Sequence, residues 1–202
     1  MIKNVIFDCG NVLISYDEHY ISSFFAEDEN DIALLAKTAM SRKYWDAFDA
    51  GTLTPELYKT EVKKELPERL HNAAEGICDK WTSHCPPIGG MRELVREINA
   101  KGTPLYLLSN FNQRLRSETD IIFPELALFD GLVISGEIGI VKPGREIYRY
   151  ILEKYSLVPE ECVFIDDNKN NIAACKEAGI VGYLFDGDAE KLRGYLKDNK
   201  LI

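Results

Sequence analysis

The sequence predicts an α/β protein, a doubly wound parallel sheet with a small all-helical block inserted after its first strand. Three observations predict it. After residue 88, short apolar runs alternate with stretches of helical periodicity, the pattern of parallel strands joined by crossover helices. Residues 15–87 hold helical patterns and no convincing strand. A strand-like run, "KNVIF", stands ahead of that block and brings the number of strands to five. The expected units are therefore residues 1–14 with 88–202 as the α/β core, and residues 15–87 as the helical block.

In chain order, Val5-Ile6-Phe7 reads as a buried strand that Asp8 and the turn formers Gly10 and Asn11 end at once. Helical stretches follow at 20–26, 31–40, 55–65 and 69–83. The run "EDEND" (27–31) reads as a helix start with Asn30 or Asp31 as the cap. In "TPELYK" (54–59), Thr54 is the expected N-cap, with Pro55 in the first helical position. "CPPIGG" (85–90) marks the return to the core. The strands expected there are "PLYLLS" (104–109), "GLVIS" (131–135), "CVFID" (162–166) and "VGYLF" (181–185). Between them "MRELVREINA", "GREIYRYILEKY" and "NIAACKEAG" space their apolar residues as helices do, and Gly102 and Gly179 stand where helices should stop.

Composition narrows the function classes. With 46% hydrophobic and 28% charged residues, the chain has the make-up of a soluble globular protein able to bury a sizeable core. No apolar stretch approaches the roughly 20 residues that cross a bilayer. "MIKNVIFD" lacks the pattern of a signal peptide. The five cysteines form no CxxC pair and no metal spacing, which fits reduced thiols in a cytoplasm. A net charge of −9 argues against nucleic acid or an anionic membrane as partner. The excess is concentrated in residues 15–87, with 14 acidic against 8 basic side chains. Whether the chain is a monomer or a homodimer is left open.

In an open parallel sheet, ligands bind at the carboxyl ends of the strands. The first strand delivers Asp8 there, and "LYLL" delivers Ser109 and Asn110. The loop after "GLVIS" delivers Lys142, and "CVFI" delivers Asp166 and Asp167, with Asn171 shortly after. Like charges gathered this closely need a cation. Mg²⁺, a hard ion that takes carboxylate and carbonyl oxygens and accompanies phosphate, is the economical choice.

These segments resemble the motifs of the haloacid dehalogenase-like hydrolases, four of them in order across the whole chain. "VIFDCGN" is similar to the first motif, "LLSN" to the second, "VKPGREIY" to the third and "VFIDDNKNNI" to the fourth. The resemblance implies a Rossmann-like core and a helical cap that closes over the site. It also implies a Mg²⁺-dependent phosphatase acting on a small phosphate monoester, with Asp8 as nucleophile. Ser109 and Asn110 would hold the transferred group, and Lys142 would neutralise nucleophile and phosphate. Asp8, the Gly10 carbonyl and the Asp166/Asp167 pair would hold the metal, with Asn171 in support. The segment "YWDAFDAGTLTPELY" (44–58) is expected to face the substrate. Trp45 and Phe48 offer it apolar area there, although residues at i, i+3 are more often the core face of such a helical block.

Gly10 departs from the family pattern, in which most phosphatases carry a second aspartate that protonates the leaving group. Three readings follow. The chain is a phosphatase whose leaving group needs little help or whose acid comes from elsewhere, with Asp17, or else Glu18, as the candidate. "FDxGNV" followed by such an acid resembles the sugar-phosphate phosphatases, glucose-1-phosphate phosphatases among them. An anomeric phosphate would suit, since its oxygen leaves as a weaker base than an ordinary alcohol. Alternatively the chain is a metal-free 2-haloacid dehalogenase, or a non-catalytic phosphate-binding relative.

Overall fold

Runs such as Cys162-Val163-Phe164-Ile165, four apolar residues with no polar alternation, fit a strand covered on both faces, and parallel sheets place strands in that setting. A computed structural model describes all 202 residues. Strands β1 (Asn4–Phe7), β2 (Leu105–Ser109), β3 (Gly131–Ile134), β4 (Cys162–Asp166) and β5 (Val181–Leu184) form one sheet in the order β3-β2-β1-β4-β5. Every neighbouring pair is parallel, with Val5 of β1 opposite both Leu105 and Val163. The chain winds outward from β1 through β2 to β3, then crosses to β4 and β5. The switch point of the sheet, and hence its crevice, lies at the carboxyl end of β1.

Twelve helices accompany the sheet. The first five are α1 (Glu18–Ser22), α2 (Glu29–Thr38), α3 (Arg42–Asp49), α4 (Pro55–Lys63) and α5 (His71–Lys80). Then come α6 (Met91–Lys101), α7 (Arg114–Ser117), α8 (Thr119–Ile122) and α9 (Ser135–Ile138), followed by α10 (Arg145–Lys154), α11 (Lys169–Glu177) and α12 (Ala189–Asp198). Alternate strand residues sort to opposite faces. Val5, Phe7, Leu107 and Ile165 pack with α6 and α12, while Ile6, Leu108 and Phe164 pack with α10 and α11.

Between β1 and α6 the only regular elements longer than an isolated bridge are helices, and α1–α5 occupy the stretch expected to lack strands. Its entry and exit lie side by side: Ser15 N donates to Pro86 O at 2.8 Å and Ile88 N to Leu13 O at 2.9 Å. The apolar cluster on the α6 side runs on without a break into this block through Trp45, Phe48, Tyr58 and Trp81.

Thr54 caps α4, its Oγ accepting from Leu57 N at 3.3 Å, with Pro55 first in the helix. Gly102 and Gly179 stand at the ends of α6 and α11 in the left-handed conformation, at φ 81° and 85°. The start of α2 is a correction. Asp28, not Asn30 or Asp31, is the cap; its carboxylate accepts from both of their backbone N–H groups, at 2.9 and 3.2 Å. The stretch 69–83 is a short 3-10 turn, then α5, then a 3-10 turn over Trp81–His84, rather than one helix.

Candidate active site

Asp8 leaves the end of β1 directly into the crevice. Its backbone N–H continues the β1–β4 ladder by donating to Ile165 O at 2.9 Å. Its Oδ1 accepts from Cys9 N at 2.7 Å and lies 2.8 Å from Lys142 Nζ. Lys142 is nearly fully buried and lies 2.8 Å from Asp166 Oδ2 as well, so one ammonium bridges two carboxylates. A buried lysine is tolerated only when paired. Burial alone would lower its pKa; the charges of Asp8 and Asp166 outweigh that and hold it above the ordinary lysine value.

The two acids of the fourth motif differ in surroundings. Asp166 is fully buried, and both its oxygens are taken: by Lys142, by the Asn171 amide at 3.0 and 3.1 Å, and by Asn168 N at 2.8 Å. Asp167 opens onto the crevice. One oxygen from each of Asp8, Asp166 and Asp167 falls within 4.8 Å of the others. Three carboxylates face one lysine. Burial, and next the Asp166 charge, raise the Asp167 carboxyl. Burial raises Asp8 to about 7 despite the opposing pull of Lys142, with Asp166 adding to the rise. Excess negative charge on hard oxygen donors is a fit for Mg²⁺. Asp8, Asp167 and the nearby Gly10 carbonyl are the groups placed to take it, while Asp166 is committed to holding Lys142 and Asn171.

Ser109 ends β2 with its Oγ buried and without a partner, a donor free for a ligand oxygen. Asn110, expected to touch the transferred group, also has a structural task. It lines the crevice, but its side-chain oxygen accepts from Lys142 N at 2.8 Å and its amide donates to Lys142 O at 2.9 Å. The side chain therefore clamps the lysine loop, with one amide N–H left over at the crevice wall. Gly10 lines the crevice, and a Cβ added there would meet nothing within 4 Å. Asp17 is not in the crevice wall; it caps α1, accepting from Tyr20 N at 2.7 Å. Glu18, beside it, does line the wall.

The crevice is a cavity of about 360 Å³ closed on its far side by Tyr16, Arg42, Trp45 and Asp49 of the helical block. The Tyr16 hydroxyl and Trp45 Nε1 are, like Ser109 Oγ, buried and unpartnered. Trp45 and Trp81 also line an adjoining cavity of about 400 Å³, whose other walls include Phe48, Leu53, Pro55 and Arg114. Trp45 and Phe48 thus serve both as block core and as cavity wall. Asp49 lies in the segment 44–58 expected to face the substrate but was not singled out there, and Tyr16 was not named at all. The one local signal for Asp49 is its place as the last residue of α3, where the helix dipole disfavours an anion.

A sesquiterpene phosphatase of Aspergillus oryzae is 25% identical over 181 residues, covering 89% of this chain and 88% of its own. A phosphorylated-carbohydrates phosphatase of Thermotoga maritima is 26% identical over 182 residues, covering 89% and 82%. The structure of a family enzyme of Bacteroides thetaiotaomicron in complex with magnesium and inorganic phosphate superposes with a TM-score of 0.72. It is 23% identical over 95% of this chain and 99% of that one, which shows a shared fold. The family model for haloacid dehalogenase-like hydrolases matches residues 2–179, a span that contains all the strand-end residues described above, and the chain belongs to that family of hydrolases.

Proposed function

We propose that the chain is a Mg²⁺-dependent phosphatase that hydrolyses a small phosphate monoester, a sugar phosphate, through an aspartyl-phosphate on Asp8. The observation that carries this reading is the Lys142 bridge: a buried carboxylate at the sheet's switch point, held by one lysine and set among unpaired donors. Asp8 attacks phosphorus in line with the leaving oxygen, and water later hydrolyses the aspartyl-phosphate. Lys142 offsets charge on nucleophile and phosphoryl group, and Ser109 Oγ donates to a phosphoryl oxygen. Asp166 and Asn171 keep Lys142 aimed, and Asn110 fixes its backbone. Mg²⁺, held by Asp8, Asp167 and the Gly10 carbonyl, would supply Lewis-acid polarisation of the phosphoryl oxygens. The helical block acts as a cap that excludes water and reads the leaving group. Five free, buried thiols favour a cytoplasmic setting.

A second reading concerns the leaving group alone. The adjoining cavity, walled by Trp45, Phe48, Leu53, Pro55 and Trp81, suits an apolar or aryl alcohol better than a polyol. The name of the Aspergillus relative, a sesquiterpene phosphatase, points the same way.

A panel of sugar, isoprenyl and aryl phosphates with 2-haloacids, assayed with and without Mg²⁺, tests these readings. Phosphate release that needs Mg²⁺ and vanishes in Asp8→Asn, with inorganic phosphate still bound, is expected. Halide release without metal, or phosphate binding without any turnover by the unaltered chain, overturns the proposal. The sugar reading fails if only the apolar esters turn over.

A further inference from the structure

The crevice wall contains two carboxyls, Glu18 and Asp49, that neither the metal-ligand set nor the lysine bridge uses. Asp49 lies 41 residues beyond Asp8 in sequence, yet it lines the same cavity as Asp8 and Gly10. Resting on the phosphatase reading, we propose that Asp49 is the general acid and base of the hydrolysis, in place of the carboxyl that position 10 lacks.

Its position is fixed by the docking of α3 on the core. Ser135 Oγ donates to Asp49 O at 2.5 Å. Two residues on, Gly51 meets Gly136 so closely that a Cβ on Gly51 would lie 2.7 Å from Gly136 O. The two glycines allow a backbone contact that sets the end of α3 over the crevice. Both cations of α3 are engaged elsewhere, Arg42 with Asp46 at 2.9 Å and Lys43 with Glu65. No ion pair therefore ties up the Asp49 carboxyl.

The surroundings bring the protonated form within reach at neutral pH. Burial is the main cause, and it raises Asp49 to about 7. Asp46 from its own helix and Asp8 across the cavity add to the rise, while Arg42 and Lys142 oppose it. Tyr16, Glu18 and Asp167 complete the titratable lining. A carboxyl that is half protonated near neutrality can both give and take a proton. Among the other candidates, Asp17 spends its carboxylate on capping α1, so Glu18 is the rival to exclude.

The proton balance closes. In the first step an Asp8 oxygen bonds to phosphorus as the ester P–O bond breaks. The electron pair of that bond stays on the leaving oxygen, which takes the Asp49 proton and departs as the alcohol. In the second step the Asp49 carboxylate takes a proton from water, whose oxygen bonds to phosphorus. The Asp8–phosphorus bond breaks, freeing phosphate, the Asp8 carboxylate and a protonated Asp49.

The test compares glycerol 2-phosphate, whose alkoxide leaves poorly, with p-nitrophenyl phosphate, whose phenolate needs no proton. Asp49→Asn should lower kcat for the alkyl ester about 10²–10⁴-fold. With the aryl ester it should give a rapid burst of one p-nitrophenolate per site and then slow turnover, because only the second step still needs the base. Affinity for inorganic phosphate should stay within about threefold, and Asp49→Glu should recover part of the alkyl-ester rate. Equal losses on both esters without a burst, or the burst and leaving-group dependence in Glu18→Gln instead, overturn the assignment. If the unaltered protein hydrolyses neither ester, the same comparison is made on the alkyl and aryl or anomeric phosphates of the panel that it does hydrolyse. If it hydrolyses none of them, the phosphatase reading has failed and this inference falls with it.

Discussion

Replacing Lys142 by methionine keeps the length of the side chain and removes the one positive charge between Asp8 and Asp166. At an effective dielectric of about 20, a unit-charge contact at 2.8 Å is worth about 6 kcal/mol, and Nζ makes two of them. Drying three ions cancels most of that gain. Removing one partner from a buried ion pair costs roughly 3–5 kcal/mol, because an uncompensated charge stays behind. With a urea slope of roughly 3 kcal/mol per molar, the unfolding midpoint should fall by about 1–2 M. Far-UV circular dichroism is the appropriate probe, since both tryptophans, Trp45 and Trp81, lie in the helical block and would report on it alone. Metal is chelated throughout, so that only the lysine offsets the carboxylates. Adding Asp166→Asn to Lys142→Met should restore part of the loss, because one of the two stranded charges is gone. A midpoint unchanged in Lys142→Met, or a double variant that merely sums the two single losses, would refute the bridge as the element that makes these buried acids tolerable.

Three further outcomes are expected. Asp167→Ala should raise the Mg²⁺ concentration giving half-maximal activity by at least about tenfold and lower Mg²⁺ affinity in calorimetry; full activity after exhaustive chelation contradicts the metal assignment. Gly10→Asp, where the new side chain meets open space, should raise kcat for alkyl phosphates at least about tenfold in Asp49→Asn and little in the unaltered protein. Equal gains in both backgrounds would mean that Asp49 was supplying no proton. Gly51→Ala places a Cβ 2.7 Å from Gly136 O at φ +69°, and should lower both thermal stability and kcat. Gly102→Ala carries a similar strain, roughly 1–2 kcal/mol at φ +81° but with no clash, and should lower stability alone; a matching loss of kcat there would remove the docking argument.

The strand-end residues were legible because a parallel sheet converts local pattern into spatial convergence. An apolar run followed by an acid, a Ser-Asn pair or a lysine loop reaches the same edge whatever the details of packing. Roles were less legible than positions. Asp166 and Asp167 are adjacent in sequence, but only the fold buries one against Lys142 and turns the other to the cavity. Asn110 reads as a ligand of the transferred group, and its hold on the Lys142 backbone, 32 residues away, is visible only in the fold. Asp28 was missed as a cap because three good capping side chains stand within four positions in "DEND". The choice among them rests on Ile32 and Leu35 facing inward. Asp49 lies inside the segment 44–58 expected to face the substrate, but nothing local singles it out from Asp46. Its place in the crevice wall depends on how Gly51 seats on Gly136, a contact that no local pattern encodes.

The central position of β1 bears on how the chain acquires its form as it is made. Residues 4–7 leave the ribosome before the other strands, and their two sheet neighbours, Leu105–Ser109 and Cys162–Asp166, follow about a hundred and about a hundred and sixty residues later. Until then the middle of the sheet is a sticky, edge-exposed segment, and at roughly 5–20 residues per second that wait lasts about ten seconds or more. The helical block, with its largely local contacts, can form in the interval. Because its two ends emerge next to each other at Ser15–Pro86 and Leu13–Ile88, its early formation shortens the effective loop that separates β1 from β2. On this view the insertion is also a folding aid, and a circular permutant that begins at residue 88 and joins residue 202 to residue 1 would deliver β1 last, into a sheet already waiting for it.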